Sequence, residues 1–533
     1  MTGKVWLVGA GPGDAGLLTL RGKEVLGQAE VVVYDALTGA GVRSMIPEGA
    51  KLYYAGKRAG NHAMKQEDIN RVILEEAGKG LRVVRLKGGD PFLFGRGGEE
   101  LELLSARGIP FEVVPGVPSA FAVPAYAGIP VTHRDCCSDV HIIAGNRRRE
   151  TGGAGAPDEP DSPGSGKGPG AGKKDLDYDV LAKLRGTLVF LMGVSSLPEI
   201  CRGLLEAGMN HRTPAALLEK GTTAGQRRIS ATLGTLEEEA RTRHAGAPAV
   251  IVIGDVCRYA DTLSWAEKRP LSGVTVVLTR PEGRSAGLAA RLGDKGAEVI
   301  ELPSIKLRPL PDTEPLKREI RRTAEGYYDW LVFTSPSGAG FFFDALLEEG
   351  DARTLSAVKI AALGDGTRKE LLARGIRADF LPSVYDTETL GRELAGRLKP
   401  GSRVLIPRAA AGSPALTKEL LKADRVQVTD LPVYETEALP VFSRGVSVRE
   451  ILEHRNRVLA VFTSASTVRG FAAAAGEENV RGMYAACIGK QTEEAAVRRG
   501  MRTFVSRQAT EESLAECILE AARRICKEEG GDE

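Results

Sequence analysis

Over its first 145 residues the chain repeats one pattern: a short β-branched run, a turn, then apolar residues at helical spacing. VWLVGA, VVVYDA and RVVRLKG are the runs, and Leu17 to Leu26 and Glu67 to Glu76 carry the helical spacing. Such alternation predicts an α/β fold with a mainly parallel sheet, because successive strands are then joined by helical crossovers. GVTVVLTR restarts the pattern after residue 272. At 533 residues the chain exceeds what one core supports, which predicts two to four domains.

Two stretches interrupt the pattern. From Arg149 to Lys174 the sequence is mostly Gly, Pro, Ser, Ala, Asp and Lys, without a large apolar residue. It cannot bury enough surface to offset its ordering entropy, which predicts a flexible loop. The pattern breaks again near Trp265 to Pro270, and this is the expected domain boundary: residues 1–267 and 268–533. The second half repeats itself weakly. WLVFTSPSGAGFFF resembles VLAVFTSASTVRGF, and each is followed by a strand, a glycine and a helix start, in AALGDGTRKEL and ACIGKQTEEA. Two similar α/β lobes with a site between them are expected.

Composition excludes several classes. A net charge of +2 argues against a dedicated nucleic-acid binder. The 7 cysteines form no C-x-x-C pair, and adjacent Cys136 and Cys137 suit neither a zinc site nor a disulfide framework. Reduced thiols in a cytoplasmic protein are the expectation, with no metal. Val5 to Val8 is too short for a signal segment, and no apolar stretch reaches membrane-spanning length.

Gly9-Ala10-Gly11-Pro12-Gly13-Asp14 lies between a strand and a helix, and Asp35 ends the next strand. A dinucleotide fingerprint would need its third glycine where Asp14 stands, and that carboxylate would repel a pyrophosphate. Asp14 reads instead as an N-cap, and the loop as a close-approach site for a ligand without phosphate. A plain strand–helix turn is the alternative. LKGGDPFLFGRGGEE then packs glycines around Asp90 and Arg96. There Gly88 and Gly89 would admit a ligand to the backbone, and Asp90 could hold an ammonium.

Taken together, GAGPGDAGLLTLRG, VVYD, GKRAG, RLKGGDPFLFGRGGEE, VVPG and AGIPVTHRD resemble uroporphyrinogen-III C-methyltransferase, of the tetrapyrrole methylase class, over about residues 3 to 266. The resemblance implies two α/β subdomains with S-adenosylmethionine as co-substrate in the cleft between them, two C-methylations yielding precorrin-2, and a homodimer. The Gly/Pro segment then becomes an insertion in a surface loop of the second subdomain. By the same resemblance Asp35 matches a proton acceptor and Lys57 a proton donor; by residue type alone they are a strand-end carboxylate and a solvated lysine. The donor-binding positions fall on Pro12, Gly88, Gly89, Asp90, Leu93, Pro118, Ser119, Met192 and Gly221. Pro118-Ser119 stands where the family often has Thr-Ala, and Leu93 replaces a commoner Ile. The implied substrate carries eight carboxylates, so Arg96, Arg134 and Lys57 are candidate partners, although surface solvation explains any single one equally well.

FTSPSG, LGDGTRKE, VLIPRAAAG, LPVYET, FTSAST and IGKQT resemble uroporphyrinogen-III synthase over about residues 272 to 525. That implies two lobes, 272–304 plus 438–525 and 305–437, crossed by extended connections at Ser304 to Pro309 and Leu431 to Leu439. The implied reaction cyclises hydroxymethylbilane with inversion of its last ring, mainly a task of orientation. Thr334, Ser335, Thr463, Ser464 and Thr492, at strand-to-helix turns, are candidate substrate-binding residues; ordinary N-capping is the alternative. Tyr434 matches a tyrosine suspected of helping the hydroxyl leave. Three other readings compete. An rRNA or diphthamide methyltransferase is disfavoured by the synthase-like tail, and a dehydrogenase by the glycine spacing. The third makes the C-terminal half a non-catalytic tetrapyrrole-binding module.

Overall fold

A computed structural model describes residues 3–56, 64–145, 176–439, 445–446, 448–452 and 457–529. The expected flexible segment 149–174 and Lys57 lie outside the described residues. The chain divides into two compact units, residues 1–273 with 295–298, and 274–294 with 299–533. Among the described residues no helix is long and apolar enough to cross a membrane.

The first unit holds two five-stranded sheets. Strands β1 (Val5–Gly9), β2 (Val31–Tyr34), β3 (Lys51–Tyr54), β4 (Val83–Lys87) and β5 (Phe111–Val114) pair in parallel in the order β3-β2-β4-β1-β5. Alternate residues feed two cores. Leu7, Val31, Val33 and Val83 meet Ile69, Ile73 and Leu104 on one face, while Val8, Val32, Tyr34, Val84 and Leu86 meet Val25, Leu26 and Ile46 on the other. Burial on both faces is why these strands read as continuous apolar runs.

The second sheet is built from β6 (Val140–Ala144), β7 (Thr187–Leu191), β8 (Pro214–Glu219), β9 (Arg227–Thr232) and β10 (Ala249–Ile253), in the order β6-β7-β10-β8-β9. Only β6 and β7 pair in parallel; β7–β10, β10–β8 and β8–β9 are antiparallel.

The second unit also holds two sheets, and the internal repeat maps onto them. One contains β11 (Thr275–Leu278), β12 (Glu298–Glu301), β18 (Val458–Phe462), β19 (Tyr484–Cys487) and β20 (Arg502–Val505), ordered β12-β11-β18-β19-β20. The other contains β13 (Ile305–Pro309), β14 (Trp330–Phe333), β15 (Lys359–Ala362), β16 (Arg403–Ala409) and β17 (Gln427–Ala438), ordered β13-β17-β16-β14-β15. The two FTS turns follow β14 and β18, and each leads into a helix, Pro336–Glu349 or Ala465–Ala475. The presumed connections are more than linkers. Ile305–Pro309 pairs antiparallel with the end of β17, Ile305 opposite Ala438 and Pro309 opposite Tyr434, so the crossings form a hydrogen-bonded ribbon continuous with the sheet.

Candidate functional site

In the parallel sheet of the first unit, the connection after β1 leads to β2 on one side and that after β4 leads to β5 on the other. Adjacent strands whose connections part in this way leave a crevice at their carboxyl ends, where open α/β sheets bind ligands. The two loops at that crevice are Gly9–Asp14 and Gly88–Asp90, and they clasp each other. Gly89 N–H donates to the Gly11 carbonyl at 2.8 Å, and Gly11 N–H returns to Gly89 at 3.2 Å. A Cβ on Gly9 would sit 2.5 Å from Gly116 Cα, so the β5 loop packs against the first of them backbone to backbone.

The glycines here answer to the protein as much as to any ligand. A Cβ at Gly88 would meet Leu37 Cβ at 2.6 Å, and one at Gly221 would meet Val123 Cγ1 at 2.3 Å. Gly89 has φ +67°, a conformation that disfavours a side chain. Asp90 likewise has local work. Its Oδ1 accepts from Phe92 N–H at 2.8 Å and its Oδ2 from Gly116 N–H at 3.0 Å, which ties the β4 loop to the β5 loop.

Asp14 caps the 3₁₀ turn Ala15–Leu17, accepting from Gly16 N–H at 2.7 Å, as its position in the sequence predicts. It also does what the sequence does not announce. Tyr126, at the end of the helix Ser119–Tyr126, donates its hydroxyl to Asp14 Oδ2 at 2.7 Å. Asp14 N–H donates to Thr222 Oγ1 at 3.1 Å, in the turn between β8 and β9. Gln226 closes the ring: its Oε1 accepts from Thr222 N–H at 2.7 Å and its Nε2 donates to the Tyr126 carbonyl at 3.2 Å. Burial, helped by Asp14, pushes the Tyr126 phenol well above its ordinary range, so it stays a donor. This ring joins the segments that carry Pro12, Ser119 and Gly221. Apart from Asp14 itself, its advance signal in the sequence is the polar pair Thr222-Thr223 after Gly221.

Strain gathers near these loops. Phe94 and Arg96, beyond Asp90, and Lys220 and Thr222, flanking Gly221, have positive φ; so does Met192, in the turn after β7, which is 46% exposed despite being apolar. Non-glycine residues in that region cost about 1–3 kcal/mol each and concentrate at ligand sites. Leu37, Phe92 and Phe121 are exposed in the neighbouring segments, Leu93 packs on the core beside the second sheet, and Pro118 precedes the helix that Ser119 begins. Arg96 is exposed and paired with Glu99 at 2.5 Å, and Arg134 is exposed on the segment leading to β6. Asp35 sits just beyond β2; its Oδ1 accepts from Leu37 N–H at 3.2 Å, and its Oδ2 faces Arg85 at 3.7 Å.

The second unit repeats the crevice logic twice, between β14 and β16 and between β11 and β18. Ser335 and Ser464 each cap the following helix, accepting from Gly338 N–H at 3.0 Å and Thr467 N–H at 3.2 Å. The N-cap alternative therefore holds for both. Ser335 has a further contact, because its Oγ lies 3.3 Å from the Tyr434 hydroxyl. Tyr434 is buried, stacks on Phe341 at 5.2 Å between centroids, and has its phenol pKa raised by that burial. Thr334 and Thr463 are half-buried where the strands end. Thr492 departs from expectation: it is buried inside the first turn of the helix Lys490–Val497, whose cap is Gly489, so it is part of the packing rather than an open turn.

Comparison with known proteins agrees with this division. The family of tetrapyrrole (corrin/porphyrin) methylases matches residues 4–237, and uroporphyrinogen-III synthase HemD matches residues 286–516. The porphyrin biosynthesis protein HemD of Ruminiclostridium josui is 41% identical over 97% of this chain and 98% of its own. The chain belongs to this HemD family. In this chain a tetrapyrrole methylase domain precedes the synthase domain. The uroporphyrinogen-III C-methyltransferase of Bacillus subtilis is 36% identical over 74% of the chain and 75% of its own length. A crystal structure of uroporphyrin-III C-methyl transferase from Thermus thermophilus, complexed with S-adenyl homocysteine, is 37% identical over 48% of this chain and 99% of that one, with a TM-score of 0.38. Within the HemD family, then, the first unit is the methylase module and the second the synthase module of a tetrapyrrole-biosynthesis protein.

Proposed function

We propose that the methylase module transfers two methyl groups from S-adenosylmethionine to uroporphyrinogen III, giving precorrin-2, and that the synthase module makes that substrate from hydroxymethylbilane with inversion of ring D. The observation that carries the reading is the presence of both modules in one chain; on this reading the second supplies the substrate of the first.

The first crevice suits the donor. Its loops approach through glycine backbone, the exposed apolar side chains Leu37 and Phe92 lie beside them, and Asp14 places a carboxylate where a pyrophosphate would be repelled. Pro12, Gly88, Gly89, Asp90, Leu93, Pro118, Ser119, Met192 and Gly221 are the residues proposed to hold it. When bound, S-adenosylmethionine supplies an electrophilic methyl group. The protein orients the pyrrole carbon for in-line attack and excludes water. Asp35 accepts the proton lost afterwards, Lys57 returns one, and Arg96 and Arg134 pair with substrate carboxylates. In the synthase module Tyr434, poised against Ser335, assists loss of the hydroxyl, and Thr334, Thr463 and Ser464 take part in holding the substrate. We place the protein in the cytoplasm as a homodimer through its methylase half.

A coupled anaerobic assay tests the reading. The full chain receives hydroxymethylbilane with and without S-adenosylmethionine, and products are separated by isomer. Type III uroporphyrinogen without the donor and precorrin-2 with it are expected. Type I isomer alone, with methylation of supplied type III intact, would make the second module a binding module instead.

A further inference from the structure

The strand β4 buries two cations. Arg85 and Lys87 stand two residues apart and so point to one face of the sheet, where they are 4% and 5% exposed. One carboxylate meets both. Glu100, itself 2% exposed in the helix Gly97–Ala106, accepts at Oε1 from Arg85 Nε at 3.3 Å, Lys87 Nζ at 3.1 Å and Gln66 Nε2 at 3.0 Å. Its Oε2 is buried with no hydrogen-bond partner among the described residues. Burial, with Arg85 beside it, lowers the Lys87 pKa, although Glu100 pulls the other way.

Two buried cations against one buried anion leave a positive charge unbalanced. Such clusters are costly, and an apolar substitute of similar volume would often be the more stable choice. The balancing anion is Asp35. Arg85 spans the gap, with Nε on Glu100 and Nη2 3.7 Å from Asp35 Oδ2, while Nη1 donates to the carbonyls of Val33 and Leu86. These backbone bonds fix the guanidinium plane at the carboxyl end of β2. Asp35 Oδ1 is occupied by Leu37 N–H and lies 3.4 Å from the Thr38 hydroxyl, so Oδ2, facing Arg85, is the oxygen left for other partners.

We infer that Arg85 is a positioning residue for the methylase reaction: braced by Glu100, it sets the orientation of Asp35 Oδ2 at the rim of the crevice. Lys87 and Gln66 act through Glu100, holding the carboxylate that holds Arg85. This rests on the reading above, in which Asp35 accepts the proton. The step itself is the one already proposed: a proton passes to Asp35 Oδ2 after methyl transfer and leaves to solvent, and Arg85 neither gives nor takes it.

The test is a double-mutant cycle in the full chain with Arg85→Gln and Asp35→Asn, read by single-turnover methylation of uroporphyrinogen III. Calorimetric binding of S-adenosylhomocysteine and thermal melting accompany it. Arg85→Lys, which keeps the buried charge but not the fork, covers the case that the glutamine variant does not fold. Both Arg85 variants are expected to slow the reaction by about tenfold or more, with S-adenosylhomocysteine affinity within about twofold, because a small misplacement of a reacting group is costly. In the Asp35→Asn background the further loss should be under about twofold, since the two act as one unit. An equal loss in both backgrounds, or a parallel loss of donor affinity, would overturn the positioning role and leave the Asp35 assignment standing. A wild-type rate for Asp35→Asn would sink that assignment, and the role of Arg85 with it.

Discussion

Tyr126→Phe isolates the ring that ties the crevice loops together. It removes one hydroxyl and the 2.7 Å bond to Asp14 Oδ2, and it leaves the Tyr126 carbonyl free to keep its bond from Gln226. A hydrogen bond to a charged partner contributes about 1.5–3 kcal/mol, and the half-exposed setting of Asp14 argues for the lower end. If the ring orders the loops bearing Pro12, Ser119 and Gly221, about 1.5 kcal/mol should appear as a roughly tenfold weaker affinity for S-adenosylhomocysteine. Calorimetric titration of the full chain measures it. Thr222→Val removes the acceptor of Asp14 N–H, and because both bonds meet at Asp14, the double variant should lose less than the sum of the two. An affinity within twofold of wild type, accompanied by a lower melting temperature, would refute the reasoning: the ring would then stabilise the fold without ordering the ligand loops.

Three further outcomes are expected. Met192→Gly relieves a φ of 57°, so the melting temperature should hold or rise while S-adenosylhomocysteine binding weakens, a trade readable by melting and calorimetry on one sample. Tyr434→Phe should slow formation of type III uroporphyrinogen about tenfold or more and raise the share of the type I isomer, measured by isomer-resolved chromatography; an unchanged ratio would remove Tyr434 from the reaction. Lys51, Lys79 and Tyr53 hold the buried Glu76 carboxyl down at about 2 from an ordinary 4.5. Its ionised form therefore stabilises the fold fully above pH 4.5, and that contribution is lost as pH falls toward 2, so Glu76→Gln should flatten the acid decline of the melting temperature.

Much of the architecture is written locally. Runs such as VVVY and VVRLK declare buried strands, and the intervening helical spacing makes them parallel neighbours. The FTS repeat announces two related sheets, and Asp14 in place of a third glycine separates this loop from a dinucleotide site. These signals are legible because strand and helix periods are properties of neighbouring residues. Even the N-caps at Asp14, Ser335 and Ser464 follow from residue type at a strand-to-helix turn.

The site's wiring is another matter. Tyr126 lies 112 residues from Asp14 and Thr222 lies 208 residues from it, and no local period predicts that they meet. Gly88 and Gly221 read as ligand approaches, yet the atoms that demand glycine there belong to Leu37 and Val123. Arg85 and Lys87 look like ordinary charges in a strand until Glu100 closes over them. Thr492 looks like an open turn until its helix packs it away. The sequence by itself determined which segments become strands, helices and capped turns, since those depend on short-range geometry. Only the tertiary structure decided which side chains meet at the carboxyl ends of the strands, because strand order brings distant loops together and burial then selects the partners each charge must find.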